Sequence, residues 1–180
     1  MMTNKTRMLT SMAMLTALSL VLVMLINFPL LPAVPFMKYD PADVPILIGT
    51  FLFGTFGGLI LTVFVAVFQG LFISSDGGSI GIVMHILATG SFVLTAGFIY
   101  QRTRTKTAAA VALVCGSLAM TVVMVGCNLV FTPLFLGAPM EQVVEMLLPA
   151  IVPFNLLKAG INAVLTWIIY KPVSRFIHNM

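Results

Sequence analysis

The sequence predicts an all-α integral membrane protein, one domain over residues 1–180, with six transmembrane helices and both termini cytoplasmic. Three observations carry that expectation. Of the 180 residues, 60% are hydrophobic and only 8% are charged, with a mean hydropathy of +1.13. Long apolar runs follow one another with short breaks, the pattern of a helical membrane protein. Outside the apolar runs, acids and bases fall into separate connections, Lys38 apart, which fixes the direction in which each helix crosses.

The first helix is expected at about residues 8–27, after Lys5 and Arg7. Its apolar run exceeds a usual signal core and no clear small-x-small cleavage site follows it, so it reads as a retained helix. Ala13 and Ala17 form a small-xxx-small pair, which lets another helix approach closely. Packing inside the bundle itself explains such a pair equally well.

Residues 28–45 carry prolines at 29, 32, 35, 41 and 45. Each fixes its own φ and biases the residue before it toward extended backbone, so this is a stiff connection. It also holds Lys38, Tyr39, Asp40 and Asp43, a dense polar group for this chain. The aspartates are expected either to cap the next helix or to belong to a lid over a binding site.

The apolar stretch 46–73 has 28 residues, about 42 Å as one helix against roughly 30 Å of hydrocarbon. Gly54, Gly57 and Gly58 could break it, and charge decides that they do. With a break there the helices fall at 8–27, 46–55, 58–73, 79–101, 107–136 and 149–171. Lys5, Arg7, Arg102, Arg104, Lys106, Lys171 and Arg175 then share one side. Asp40, Asp43, Asp76, Glu141 and Glu145 share the other. An unbroken stretch would put the RTRTK loop opposite the basic N-terminus, against the positive-inside rule.

The segment 74–79 (SSDGGS) is a turn by composition. His85, near the outer end of the fourth helix, is expected to be a hydrogen-bonded structural residue. Cys115 and Cys127 lie twelve residues apart in the fifth helix, about 18 Å along its axis, and are expected only to pack.

The last helix carries Asn155, Lys158 and Asn162 within a narrow arc, with Trp167 and Tyr170 near its far end, where such rings favour the membrane interface. A lysine inside a membrane helix costs about 2.5–3.5 kcal/mol, so it faces protein or water. No acid lies in another apolar stretch, so Lys158 is expected to lack an ion-pair partner at its depth and to need acceptors from a ligand. Asn128 in the fifth helix and Lys158 both lie roughly 12–14 Å from the outer side by helical rise. Together they predict a polar-lined pocket opening to the extracellular side. An Asn128–Asn155 bridge between helices is the plainer alternative for the asparagines.

The chain has no GxxxxGK[ST] loop, no HExxH or GxSxG in a helix, and no acid expected at membrane depth. This argues against ATP hydrolysis by that loop, intramembrane proteolysis and proton-coupled export. The helices show no obvious inverted repeat of the kind common in secondary transporters. The residues alone therefore describe a small binding protein without an engine.

The stretch KYDPADVPILIGTFLFGTFGG (38–58) closely resembles the first-loop and second-helix signature of the riboflavin-specific substrate-binding subunits of energy-coupling factor transporters. The chain length, the six-helix plan and the NLLK of the last helix fit as well. Ala42 stands where the pattern often has serine, and Thr55 where it often has proline. The resemblance implies a non-enzymatic protein of the cell membrane that captures riboflavin as transported ligand and uses no cofactor. It assigns the ligand's polar edge to Asn128, Asn155 and Lys158, and an apolar rim to Phe36 and Tyr39. It assigns Ala13 and Ala17 to contact with a membrane-embedded coupling subunit that carries two cytoplasmic ATPases. A subunit for another vitamin such as thiamine, or a ligand-free membrane assembly protein, are the alternatives.

Overall fold

A computed structural model describes residues 4–32, 34–73, 77–137 and 139–179. Asp76 and part of the 74–79 turn lie outside the described residues. Five described segments are long and apolar enough to cross a membrane. They are built on α1 (Asn4–Leu25), α2 (Asp43–Phe68), α3 (Gly78–Thr103), α4 (Lys106–Leu136) and α6 (Val152–Asn179). The short α5 (Met140–Met146) and a π-helical turn, Leu147–Ile151, lead into α6.

The second of those segments, Asp43–Ile73, does not run straight. Gly54 sits at φ 85° and ψ 175°, a backbone region open essentially to glycine. In a straight helix residues 49 and 61 would lie about 18 Å apart. Here a Cβ built on Gly49 would strike Leu61, and one on Gly58 would strike Thr50. The helix therefore turns back on itself at Gly54, and its two arms pack side by side. The break expected from the glycines is present. Gly57 and Gly58 serve the close packing of the arms, while Gly54 makes the turn.

Small residues set the other close approaches. Gly97 of α3 abuts Thr50 and Thr55 of α2, and Gly116 of α4 abuts the Phe92 ring of α3. The main core runs through these contacts, with Phe92, Leu47, Leu61 and Leu113 at its centre. The inner-facing side of α1 is Ser11, Met12, Leu15, Ser19 and Val23, all buried. Ala13 and Ala17 are on its exposed side. The reading in which they pack within the bundle therefore fails.

The proline-rich connection between α1 and α2 is ordered and folds inward. Two residues at each end pair antiparallel, Phe28 with Tyr39 and Pro29 with Lys38, closing the loop at its base. Val34 and Met37 form a second small core with Val143, Ile151 and Phe154 of the α5–α6 region. Ser19 Oγ of α1 donates to the Ala42 carbonyl at 3.0 Å.

At the opposite end of the bundle, Phe51, Tyr100 and Tyr170 stack with centroid separations of 4.2, 5.4 and 6.1 Å. Tyr170 is thus buried in an aromatic cluster. Trp167 does remain exposed, with the Lys106 ammonium 5.9 Å from its ring.

Gly54→Ala should destabilise the protein by about 1–3 kcal/mol, the range for forcing a side chain into this backbone region. Gly160→Ala, in α6 with no atom within 4 Å of the new methyl, is the matched control. It should be neutral or mildly stabilising. Thermal unfolding in detergent checks the pair; equal midpoints for the two variants would refute the turn at Gly54.

Candidate functional site

The inward fold of the loop brings it over a cavity of about 400 Å³. Five elements supply the walls. The connection contributes Phe36, Met37, Lys38 and Asp40, and the π-helical turn after α2 contributes Gln69. From α3 come His85 and Thr89, one turn apart on one face. Asn128 and Thr132 of α4 and Phe154, Asn155 and Lys158 of α6 complete the lining. The size is that of a small-molecule site, and its make-up is the usual one: mostly apolar, with a few converging polar groups.

Lys158 is the centre of the arrangement, and here the sequence expectation is overturned. Its Nζ donates to Asp40 Oδ2 at 2.9 Å, so the lysine has an ion-pair partner at its own depth. Asp40 is only 5% exposed. The acid comes from the connection, which enters the bundle instead of staying outside it. Burial alone would push the Asp40 carboxyl up. The charge and hydrogen bond of Lys158, with His85 near and the Ala42 amide donating, hold it below its usual range instead.

A second carboxylate braces the same place. Asp43 opens α2 and is buried. Its Oδ1 accepts from Thr89 Oγ1 at 2.7 Å, and its Oδ2 accepts from Asn162 Nδ2 at 3.0 Å. Asn162 Oδ1 in turn accepts from the Tyr39 hydroxyl at 3.0 Å. Neither aspartate makes an N-terminal side-chain cap at Ala42, although Asp40 Oδ1 accepts from the Ala42 amide at 3.2 Å in the preceding turn. The pair thus ties the connection to α3 and α6.

Asn128 and Asn155 are each 1% exposed. They do not bridge to one another. Asn128 Nδ2 donates to Met124 O at 2.7 Å and Asn155 Nδ2 to Ile151 O at 2.8 Å, each one turn back in its own helix. Thr132 Oγ1 fixes the Asn128 carbonyl at 2.8 Å. These bonds lock both rotamers while leaving the second amide hydrogen of each for another partner.

Of the site residues drawn from the sequence, Phe36, Asn128, Asn155 and Lys158 line one cavity. Tyr39 does not line it; its ring packs on Phe28 at 5.6 Å and its hydroxyl is engaged by Asn162. Burial pushes that hydroxyl's pKa up. Asp40, Asp43, Thr89 and Gln69 were not singled out as site residues from the sequence. His85 was expected to be structural, yet it lies on the cavity wall, its Nε2 3.7 Å from Asp43 Oδ1. Among the described residues no group of His, Cys, Asp or Glu could hold a metal ion.

The comparisons agree on what this arrangement belongs to. A Staphylococcus aureus protein named riboflavin transporter RibU is 29% identical over 178 residues, spanning 96% of this chain and 93% of its own. The Streptococcus thermophilus RibU is 32% identical over 181 residues, covering 96% and 85%. Riboflavin transporter FmnP of Bacillus subtilis is 29% identical over 184 residues, covering 97% and 96%. Among solved structures, one described as the S component of a bacterial ECF transporter superposes with a TM-score of 0.78 at 28% identity, over 97% of this chain and 99% of that one. An S component for biotin shares the fold, with a TM-score of 0.65 at 17% identity over 95% of each chain. Residues 7–170 match the family described as ECF transporter, substrate-specific component, and the chain, a multi-pass membrane protein, belongs to that family.

Proposed function

We propose that the protein is the riboflavin-capturing subunit of an energy-coupling factor transporter in the cell membrane. The observation that carries this reading is the convergence of Asn128, Asn155 and Lys158 on one cavity roofed by the proline-rich connection. The names of the relatives that the chain matches end to end point to the same ligand. The dione edge of a flavin offers carbonyl acceptors to the Lys158 ammonium and to the free amide hydrogens of the two asparagines. Phe36 supplies an apolar wall for the ring system. Tyr39 acts one step back, through Asn162, to hold the connection in place. Binding here needs no cofactor, and the protein catalyses no reaction.

The turn at Gly54 supports six crossings, with both termini and the basic 102–106 connection cytoplasmic. The cavity then opens to the extracellular side. The exposed Ala13 and Ala17 on α1 are the contact for a membrane-embedded coupling subunit, which in turn carries two cytoplasmic ATPases.

Fluorescence-quenching titration of riboflavin tests the ligand directly. Lys158→Met should weaken binding roughly ten- to a hundredfold, the loss of a charged donor. Asn128→Ala and Asn155→Ala should each cost about 1 kcal/mol. Because Asp40 is paired, Lys158→Met should also lower apo stability, by about 3 kcal/mol, since it strands a buried carboxylate. Asp40→Asn in the same chain should recover stability without recovering affinity. Unaltered riboflavin binding in Lys158→Met would remove the lysine from the site.

Orientation is checked with an impermeant thiol reagent on intact cells, in a background lacking Cys115 and Cys127. Cysteines at the exposed positions 38 and 142 should react, and those at 103–105 should not. Reaction at 103–105 would reject the six-crossing plan.

For the partner, Ala13→Leu with Ala17→Leu should reduce uptake by blocking close helix approach, while the isolated subunit binds riboflavin as before. Parallel loss of binding and uptake would reject the two alanines as a contact specific to the coupling subunit.

A further inference from the structure

Once the ion pair and the two locked asparagines are accounted for, two buried polar atoms on the cavity wall have no hydrogen-bond partner among the described residues. They are Gln69 Oε1 and His85 Nε2. Both belong to the α2–α3 side of the cavity, away from the polar groups of α4 and α6. Gln69 opens the π-helical turn Gln69–Ile73. The next residue, Gly70, sits directly against Ile82, one turn before His85 on α3. A cavity-lining glutamine and a cavity-lining histidine are thus carried on two segments that touch.

Leaving a buried acceptor or donor unpaired costs free energy, so atoms of this kind mark a place where a partner is expected. The π-turn fits that reading, because such local widenings of a helix recur at functional sites. The chemistry of the two atoms is complementary to one class of group. Gln69 Oε1 only accepts, and the imidazole nitrogen donates or accepts according to tautomer. A hydroxyl does both. A chain of adjacent hydroxyls could donate to the glutamine and satisfy the histidine at once. Asp43 lies behind the histidine, 3.7 Å from Nε2, beyond direct hydrogen bonding. It is itself held by Thr89 and Asn162, so the imidazole stands against a fixed charge.

We propose that Gln69 and His85 form a specificity-determining subsite for the polyhydroxyl arm of the ligand, separate from the Asn128–Asn155–Lys158 wall that takes its ring. This rests on the flavin reading above, and it assigns the α2–α3 side of the cavity to the part of the ligand that distinguishes riboflavin from the bare ring. The two walls then divide the ligand between them.

The test compares riboflavin with lumiflavin, the same ring system bearing only a methyl group in place of the arm. Purified protein in detergent is titrated with each. Wild-type protein should bind riboflavin at least tenfold more tightly than lumiflavin. Gln69→Leu and His85→Phe should each weaken riboflavin binding about tenfold and leave lumiflavin within about twofold. His85→Gln, which keeps a donor and an acceptor, should restore most of the preference. Gln69→Leu stands alone as the test if His85→Phe does not fold. Equal wild-type affinity for the two flavins would overturn the subsite. So would variants in which both affinities fall together, the outcome of a purely structural role, or in which neither changes. Binding of neither flavin by wild-type protein would instead remove the flavin reading itself.

Discussion

The arrangement depends on one ion pair. Lys158 from α6 meets Asp40 from the connection at 2.9 Å, and both side chains are largely withdrawn from water. A lone ammonium at this place would be costly, and so would a lone carboxylate; each makes the other tolerable. Two consequences follow. The connection is drawn into the bundle, because its acid has to reach the base. The base is also held, so that its remaining hydrogens point where the cavity lies. Asp43 repeats the device with neutral partners, anchoring the start of α2 to Thr89 and Asn162. A loop stiffened by four prolines and pinned at two carboxylates has little freedom left to lose when a ligand arrives.

The turn at Gly54 is the second constraint, and it works with the first. A straight α2 would carry Gln69 nearly 40 Å from Asp43 by helical rise, at the far end of the bundle. Folded back, the same helix returns Gln69 to the cavity that Asp40 roofs. The small residues Gly49, Gly57 and Gly58 allow the two arms to touch. Without hydrophobic pressure between helices in lipid, such close contact is what holds them together.

How much of this was legible depended on the range of the signal. Helix positions are local, and the apolar runs placed α3 and α4 to within a few residues. The break in 46–73 was legible from the distribution of charged residues along the chain, although glycine content alone left the position open between 54 and 58. Asn128, Asn155 and Lys158 were legible because polar residues in an apolar helix stand out. Helix periodicity said that Asn155 and Lys158 share one face of α6. The Asp40–Lys158 pair was not legible. It joins residues 118 apart, and an acid next to Pro41 in a connection looks like an outside residue until the loop is seen to fold inward. Tyr39 failed for a related reason: an aromatic beside a suspected pocket looks like a wall, but its hydroxyl found Asn162 first. The partner of Asn162 was equally hidden, since nothing in a single sequence couples it to Asp43.

The polar groups of the cavity differ in how they are supported, and that difference bears on selectivity. Asn128 and Asn155 lean on carbonyls of their own helices, so their geometry survives small shifts between helices. Lys158 leans on the connection, and its position depends on the loop being closed. Gln69 and His85 each have a polar atom with no hydrogen bond from the described residues. A ligand that reached only the first group would find a rigid but partial site. One that also required Lys158 would be sensitive to the loop. One that reached Gln69 and His85 as well would satisfy atoms that are otherwise costly to bury. Discrimination by a buried polar group comes largely from the penalty of leaving it unmet, and so the least supported atoms are the ones best placed to tell related ligands apart.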